Sequence, residues 1–128
     1  MCGSVTLSFE PVAPKLGACH CEMCRRWTGS AFVEIDAKPG SLTFEGPVKS
    51  YTSSEWAERA WCDTCGSTLW YHLTLPKYDY YSISAGLVDN AGGLSLDGGR
   101  RGPCRAPEPR TALRGDVFRS APDTGGNC

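Results

Sequence analysis

Three cysteines stand within six residues, in the segment Cys19-His20-Cys21-Glu22-Met23-Cys24, and their spacing is typical of a metal site. Three thiolates on one turn can converge on a single zinc ion at a sulfur–zinc distance of about 2.3 Å. The segment supplies three ligands and no obvious fourth, as in catalytic zinc sites that keep one position for water or substrate. A fourth ligand from a distant residue would instead make the site structural. The spacing alone leaves both alternatives open.

A second cysteine pair lies in Cys62-Asp63-Thr64-Cys65-Gly66, which has the form of a zinc knuckle. The glycine allows a tight turn, so that backbone amides can point at the sulfurs. A thioredoxin-like redox role is disfavoured, because residues 67–70 have the pattern of a strand and not of a helix start. The pair needs further ligands, and Cys2 is the remaining cysteine outside the C-terminal region. Cys104 and Cys128 are isolated and are not expected to take part.

Arg25 and Arg26 directly follow the third cysteine of the first group and are the predicted substrate-binding residues. One of them can offset the negative charge of the thiolates or bind a substrate carboxylate through a bidentate contact. The alternative is a solvated pair on a short helical turn. Two histidines, His20 and His72, are further candidate ligands, but His20 lies between two cysteines and should point away from them.

Short runs of β-branched and aromatic residues predict a mainly β fold that positions these groups. Turn formers separate the predicted strands, which are residues 4–9, 16–19, 31–35, 41–44, 48–53, 59–62, 67–72 and 78–84. The close spacing of the strands favours antiparallel sheets over βαβ units. Glu22–Trp27 is predicted to form one or two helical turns ended by Thr28-Gly29-Ser30. A helix over Ser54–Ala60 is the alternative in that region.

The 128 residues fit one domain over residues 1–96 and a tail over residues 97–128. The tail contains six Arg, six Gly and four Pro, so it buries little apolar surface and is expected to pack poorly. The net charge of the tail is +2, which leaves −3 on residues 1–96. The negative charge of residues 1–96 disfavours binding of this domain to nucleic acid.

No apolar run approaches the roughly 20 residues that a membrane-spanning helix needs. The first five residues, Met1–Val5, lack the features of a secretory signal. We therefore expect a cytoplasmic protein without a membrane partner. Clustered thiols in a reducing compartment are more often metal ligands than disulfides.

With these motifs in order, the sequence resembles the glutathione-dependent formaldehyde-activating (GFA) family, which includes centromere protein V-like domains. The similarity covers about residues 2–90, and the joint pattern is far more specific than either cysteine motif alone. The matching segments are Cys2–Val5, Cys19–Arg26, Thr28–Phe32, Tyr51 with Ser53-Ser54, Cys62–Ser67 with Leu69, and Ser84–Asp89.

The resemblance implies a β-tent of short antiparallel sheets built around two zinc ions. It implies that Cys19, Cys21 and Cys24 hold a catalytic zinc, and that a structural zinc is bound by Cys2, Cys62 and Cys65. The activity it implies is that of S-(hydroxymethyl)glutathione synthase, a carbon–sulfur lyase that joins glutathione and formaldehyde reversibly. A zinc-structured binding module without catalysis is the alternative.

The sequence departs from the family pattern at two places. The family usually has Cys-x-Cys-Gly at its first structural ligands, and here the first of those cysteines would fall before Met1. Either the sequence is truncated there or another residue substitutes as ligand. The Met1 thioether is a poor ligand for zinc, which prefers thiolate or imidazole. The family's C-terminal segment is not recognisable after about residue 96.

Overall fold

The computed structural model describes residues 1–89 and 94–96. The predicted tail, with Cys104 and Cys128, lies outside this part of the chain, so the boundary after residue 96 stays a prediction. No helix in the described part is long and apolar enough to cross a membrane. The helix α1 is Glu22–Thr28, and the strands are β1 Thr6–Ser8, β2 Lys15–Cys19, β3 Phe32–Asp36, β4 Thr43–Glu45, β5 Val48–Ser54, β6 Ala57–Cys62, β7 Thr68–Leu75, β8 Tyr78–Ser84 and β9 Ser95–Leu96.

The strands form a seven-stranded sheet in the order β5-β6-β7-β8-β3-β2-β9 and a small sheet of β1 and β4. The mainly β fold with one short helix after the first cysteine group is therefore confirmed. Neighbouring strands of the large sheet are antiparallel, except for β2 and β9, which run parallel. The strand pattern did not predict β9, because its two residues, Ser95 and Leu96, are too few to show a period.

The large sheet separates two hydrophobic clusters, because neighbouring residues of a strand point to opposite faces. On one face, Ala60 of β6 and Trp70 of β7 are paired and buried, and Leu7 of β1 packs against the same cluster. On the other face, the pair is Arg59 with Tyr71, and Tyr71 packs against the cluster formed by Cys21, Cys24 and Phe32. Each cysteine group thus belongs to its own face of the sheet.

A tight hairpin joins β5 to β6, so the alternative of a helix over Ser54–Ala60 is wrong. Ser54 pairs directly with Ala57 across the turn, and β6 is buried along most of its length. The packing of this strand in the sheet outweighs the helix propensity of Glu55 and Ala57. Ser53 is an extra residue in the pairing, which shifts register between Thr52 and Ser54. Such a bulge redirects the side chain at that position.

Gly46 holds the N-terminal segment in place between β4 and β5. Its φ of +109° lies in a region that side chains disfavour. A Cβ at this position would overlap the carbonyl oxygen of Ser4 and lie 3.0 Å from Cα of Val5. The close backbone approach is therefore possible only for glycine, and it fixes the segment that carries Cys2.

Gly46→Ala is expected to lower the free energy of unfolding by about 2 kcal/mol more than the control Gly40→Ala. Gly40 also has a positive φ, of +72°, but a Cβ there would meet no atom within 4 Å. The control variant thus has the conformational strain of a positive φ without the steric overlap of the new Cβ with a neighbouring backbone. Urea denaturation of the two variants gives the difference, and zinc content should fall only in Gly46→Ala. Equal stability of the two variants would contradict this role of Gly46.

Candidate metal centre

The end of β2 and the start of α1 bring Cys19, Cys21 and Cys24 together. Cys19 is the last residue of β2, where it pairs with Phe32 of β3. Cys21 is the N-cap of α1, and its sulfur accepts a hydrogen bond of 3.3 Å from the backbone N–H of Cys24. The helix ends at Thr28 and is capped by Gly29, whose φ of 78° is left-handed; the sequence predicts that this segment ends the helix. All three sulfurs lie within 4.8 Å of one another, and Cys21 and Cys24 are buried.

Hydrogen bonds among the three thiols make their acidities unequal. Hydrogen bonds from Cys19 and then from Cys24 lower the pKa of Cys21, which favours its thiolate form. The same interactions with Cys19 and Cys21, together with burial, raise the pKa of Cys24. The pKa of Cys19 is also raised, chiefly by its hydrogen bond to Cys21. Cys21 is thus the most acidic thiol of the group.

The geometry of the group suits a zinc ion. Tetrahedral coordination with zinc–sulfur bonds of about 2.3 Å places the sulfurs about 3.8 Å apart, and these sulfurs lie within 4.8 Å of one another. No histidine or carboxylate among the described residues joins the group. His20 is exposed, and His72 stacks on Tyr81 with 3.9 Å between ring centroids. Three protein ligands are therefore what the described chain provides.

The second group consists of Cys2, Cys62 and Cys65, whose sulfurs also lie within 4.8 Å of one another. The sulfurs of Cys2 and Cys62 are 3.7 Å apart. Cys62 ends β6 and is buried in the core, and the turn to β7 is closed by a 2.8 Å hydrogen bond from Gly66 N–H to its carbonyl. Hydrogen bonds from Ser67 lower the pKa of Cys65 to about 6. This lowered pKa favours the thiolate, which is the form that binds a metal ion.

Arg25 and Arg26 lie on the exposed side of α1. Arg26 forms an ion pair with Glu22, one helical turn earlier. A surface pair of this kind contributes little to stability, so Arg26 can exchange it for a substrate carboxylate. The role of both arginines in substrate binding stays a prediction.

Arg59 is a buried cation beside the first cysteine group that the motif analysis missed. Its guanidinium carbon lies 5.6 Å from the ring centroid of Trp27 and 5.2 Å from that of Tyr71. Its Nη1 donates a hydrogen bond to Ser53. Its charge also contributes to the lowered pKa of Cys21. The sequence carries no signal for this placement, because an arginine in a strand is normally expected on the solvent face.

The fold and site define a mainly β protein with two cysteine groups that can each hold a metal ion. The family model of the glutathione-dependent formaldehyde-activating enzyme matches residues 1–97. The chain belongs to this family, as the motifs predicted. It is 36% identical over 99 residues to an uncharacterised lyase of Schizosaccharomyces pombe, a match that covers 76% of this chain and 71% of the relative.

The fold also resembles the crystal structure of a Rhodobacter sphaeroides protein, with a TM-score of 0.59 and 18% sequence identity. That similarity covers 74% of this chain and 94% of the other. At this level of identity the comparison supports the fold alone.

Proposed function

We propose that this protein is a zinc-dependent carbon–sulfur lyase that forms and cleaves a thiol–carbonyl adduct, such as S-(hydroxymethyl)glutathione from glutathione and formaldehyde. The observation that carries the proposal is the group of Cys19, Cys21 and Cys24, which offers three thiolates and no fourth protein ligand among the described residues. Membership of the GFA family and the lyase relative support the same reaction class.

The residues of the first group would hold the catalytic zinc, and Cys2, Cys62 and Cys65 a structural one. A zinc ion bound by three thiolates offers a further coordination position and favours the ionised form of a thiol that binds there. Phe32, Trp27 and Tyr71 belong to the same hydrophobic cluster as the cysteines, of which Cys21 and Cys24 are buried. In this environment the charge of a thiolate is less well solvated, which favours its attack on a carbonyl carbon.

The reaction itself is balanced without a redox partner. The substrate thiol loses its proton, its sulfur forms a bond to the aldehyde carbon, and the carbonyl oxygen takes up a proton to become a hydroxyl. The reverse reaction breaks the same carbon–sulfur bond. Arg25 and Arg26, exposed on α1, are the proposed contacts for carboxylates of the thiol substrate.

The proposal includes a reducing compartment such as the cytoplasm. All six cysteines of the two groups are free thiols in the structure. An oxidising environment would favour disulfides between such closely spaced sulfurs and remove the metal ligands.

The test uses full-length, zinc-loaded protein with glutathione and formaldehyde. We expect native mass spectrometry to show a glutathione adduct that depends on zinc. Exchange NMR should show faster interconversion of formaldehyde and S-(hydroxymethyl)glutathione than in the protein-free mixture. Both signals should disappear with a chelator and return with zinc. Bound zinc with neither an adduct nor an accelerated rate would contradict the proposal and indicate a binding module.

A further inference from the structure

Ser67 directly follows the turn of the second cysteine group and contacts two of its three cysteines. Its backbone carbonyl accepts a 2.9 Å hydrogen bond from the N–H of Cys62. Its hydroxyl oxygen lies 3.2 Å from the sulfur of Cys65. The residue is partly buried, between the exposed Gly66 and the start of β7. One residue outside the cysteine group therefore contacts the backbone of one cysteine and the sulfur of another.

The direction of the hydrogen bond between Ser67 and Cys65 follows from the charge of the sulfur. A cysteine binds a metal ion as the thiolate, which has no proton and can only accept a hydrogen bond. The hydroxyl of Ser67 is therefore the donor when the group holds a metal ion. Hydrogen bonds from the side chain and then from the backbone of Ser67 are also the main causes of the lowered pKa of Cys65.

A donor at this sulfur matters because the second group concentrates negative charge. Three thiolates around one Zn²⁺ leave an excess of one negative charge. Cys62 is buried in the core, where water cannot solvate that charge. The sulfur of Cys2 accepts a hydrogen bond of 3.4 Å from the backbone N–H of Ser4. Hydrogen bonds around a metal centre orient its ligands, and the loss of one commonly lowers metal affinity by about 10- to 100-fold.

The hydroxyl of Ser67 is better suited to donate to a ligand than to bind zinc itself. Protein zinc sites are built from thiolates, imidazoles and carboxylates, and a serine hydroxyl stays neutral near neutral pH. Its distance of 3.2 Å from the sulfur of Cys65 suits a hydrogen bond. The chemistry of the residue therefore favours a role through Cys65.

We propose that Ser67 is a positioning residue of the second metal centre. Its hydroxyl donates a hydrogen bond to the metal-bound sulfur of Cys65 and so raises the zinc affinity of the whole group. This inference rests on the structural zinc ion of the function proposed above, but not on the lyase reaction at the first group. Side-chain substitutions test the hydroxyl alone, because they leave the carbonyl of Ser67 in place for the N–H of Cys62.

The first test is the zinc affinity of full-length protein, measured by competition with a chelator and by native mass spectrometry. Ser67→Ala should lower the affinity of one of the two zinc ions by about tenfold, the low end of the range because Cys65 is only partly buried. Ser67→Thr keeps the hydroxyl and should stay within about threefold of the wild type. The affected zinc ion should be the one that Cys62→Ser loses.

Two controls separate loss of the hydrogen bond from general damage to the fold. The zinc ion of the first group is the internal control, and Ser67→Ala should leave its affinity within about twofold of the wild type. Ser50→Ala is the matched variant, because Ser50 is exposed on β5 and lies outside both cysteine groups. Equal weakening of both zinc ions, equal losses in Ser67→Ala and Ser67→Thr, or no loss in Ser67→Ala would overturn the proposal.

The second test replaces zinc with cobalt(II), whose absorption reports the number and type of its ligands. At saturating cobalt, Ser67→Ala should show the same number of cobalt–thiolate bonds and the same coordination geometry as the wild type. A changed coordination number would show that Ser67 is itself a ligand, which contradicts the proposal.

The failure of this inference is distinguishable from that of the lyase function. A wild-type protein whose zinc content is unchanged in Cys62→Ser would show that the second group holds no zinc ion, which overturns the role of Ser67. The glutathione adduct and the exchange rate judge the lyase function separately, because they depend on the first group.

Discussion

Cys21→Ser is expected to leave the protein with one bound zinc ion and to lower its lyase activity by more than about 100-fold. Loss of a residue that merely orients a ligand commonly costs 10- to 100-fold in metal affinity or activity, and Cys21 is itself a predicted ligand. Its thiol has a pKa lowered by hydrogen bonds from Cys19 and Cys24. A serine hydroxyl is not ionised near neutral pH, so the variant offers zinc a much weaker donor.

The position of Cys21 makes its loss more severe than that of a surface ligand. It is 5% exposed and caps α1, with its sulfur bound to the backbone N–H of Cys24. Serine is itself a favourable N-cap, so the helix should persist in the variant. The substitution therefore removes the ligand without removing the element that carries Cys24.

Zinc content by elemental analysis and the NMR exchange rate check the prediction for Cys21→Ser. His20→Ala is the matched control, because His20 is the exposed neighbour and lies outside both cysteine groups. The control should retain both zinc ions and the wild-type rate. A Cys21→Ser protein with full zinc content and undiminished turnover would contradict the assignment of the first group as the catalytic centre.

The grouping of the cysteines could be predicted from the sequence because most of the members of each group are close in the chain. Cys19, Cys21 and Cys24 are close in the chain, so a strand end and one helical turn are enough to bring them together. The grouping of Cys2 with Cys62 and Cys65 needs contacts between distant segments, and it followed from the family resemblance and from the lack of another cysteine.

The buried placement of Arg59 could not be predicted in this way, because it depends on three distant elements. Trp27 lies on α1, Tyr71 on β7 and Ser53 at a bulge in β5. None of these three residues is unusual within its own segment of the sequence. Only the register of the strands brings them together around the guanidinium of Arg59. The parallel pairing of β9 with β2 escaped prediction for the same reason, since register between distant strands leaves no local pattern.

Cys62→Ser is expected to remove the other zinc ion and to lower the free energy of unfolding by about 4 kcal/mol, a loss typical of a missing metal site. Cys62 is 2% exposed and belongs to the core cluster between β6, β7 and the small β1–β4 sheet. Its zinc would link three parts of the chain: the segment of Cys2, the end of β6 and the turn of Cys65. Without this link, β1 keeps its pairing with β4 and the packing of Val5, Leu7 and Phe9 against the core.

Thermal unfolding and hydrogen exchange of the zinc-loaded variant test this prediction. Amide protons of β1 and β4 should exchange faster in Cys62→Ser, whereas those of β7 and β8, at the centre of the large sheet, should change least because their pairing does not involve the second group. Cys104→Ser is the matched control, because the sequence sets that cysteine apart from both groups, and it should behave as the wild type.

Since the two cysteine groups lie on opposite faces of the sheet, Cys62→Ser should lose stability while it still binds the first zinc ion. Loss of both zinc ions together would show that the two sites do not fold independently, and an unchanged melting temperature would exclude a structural role for the second group.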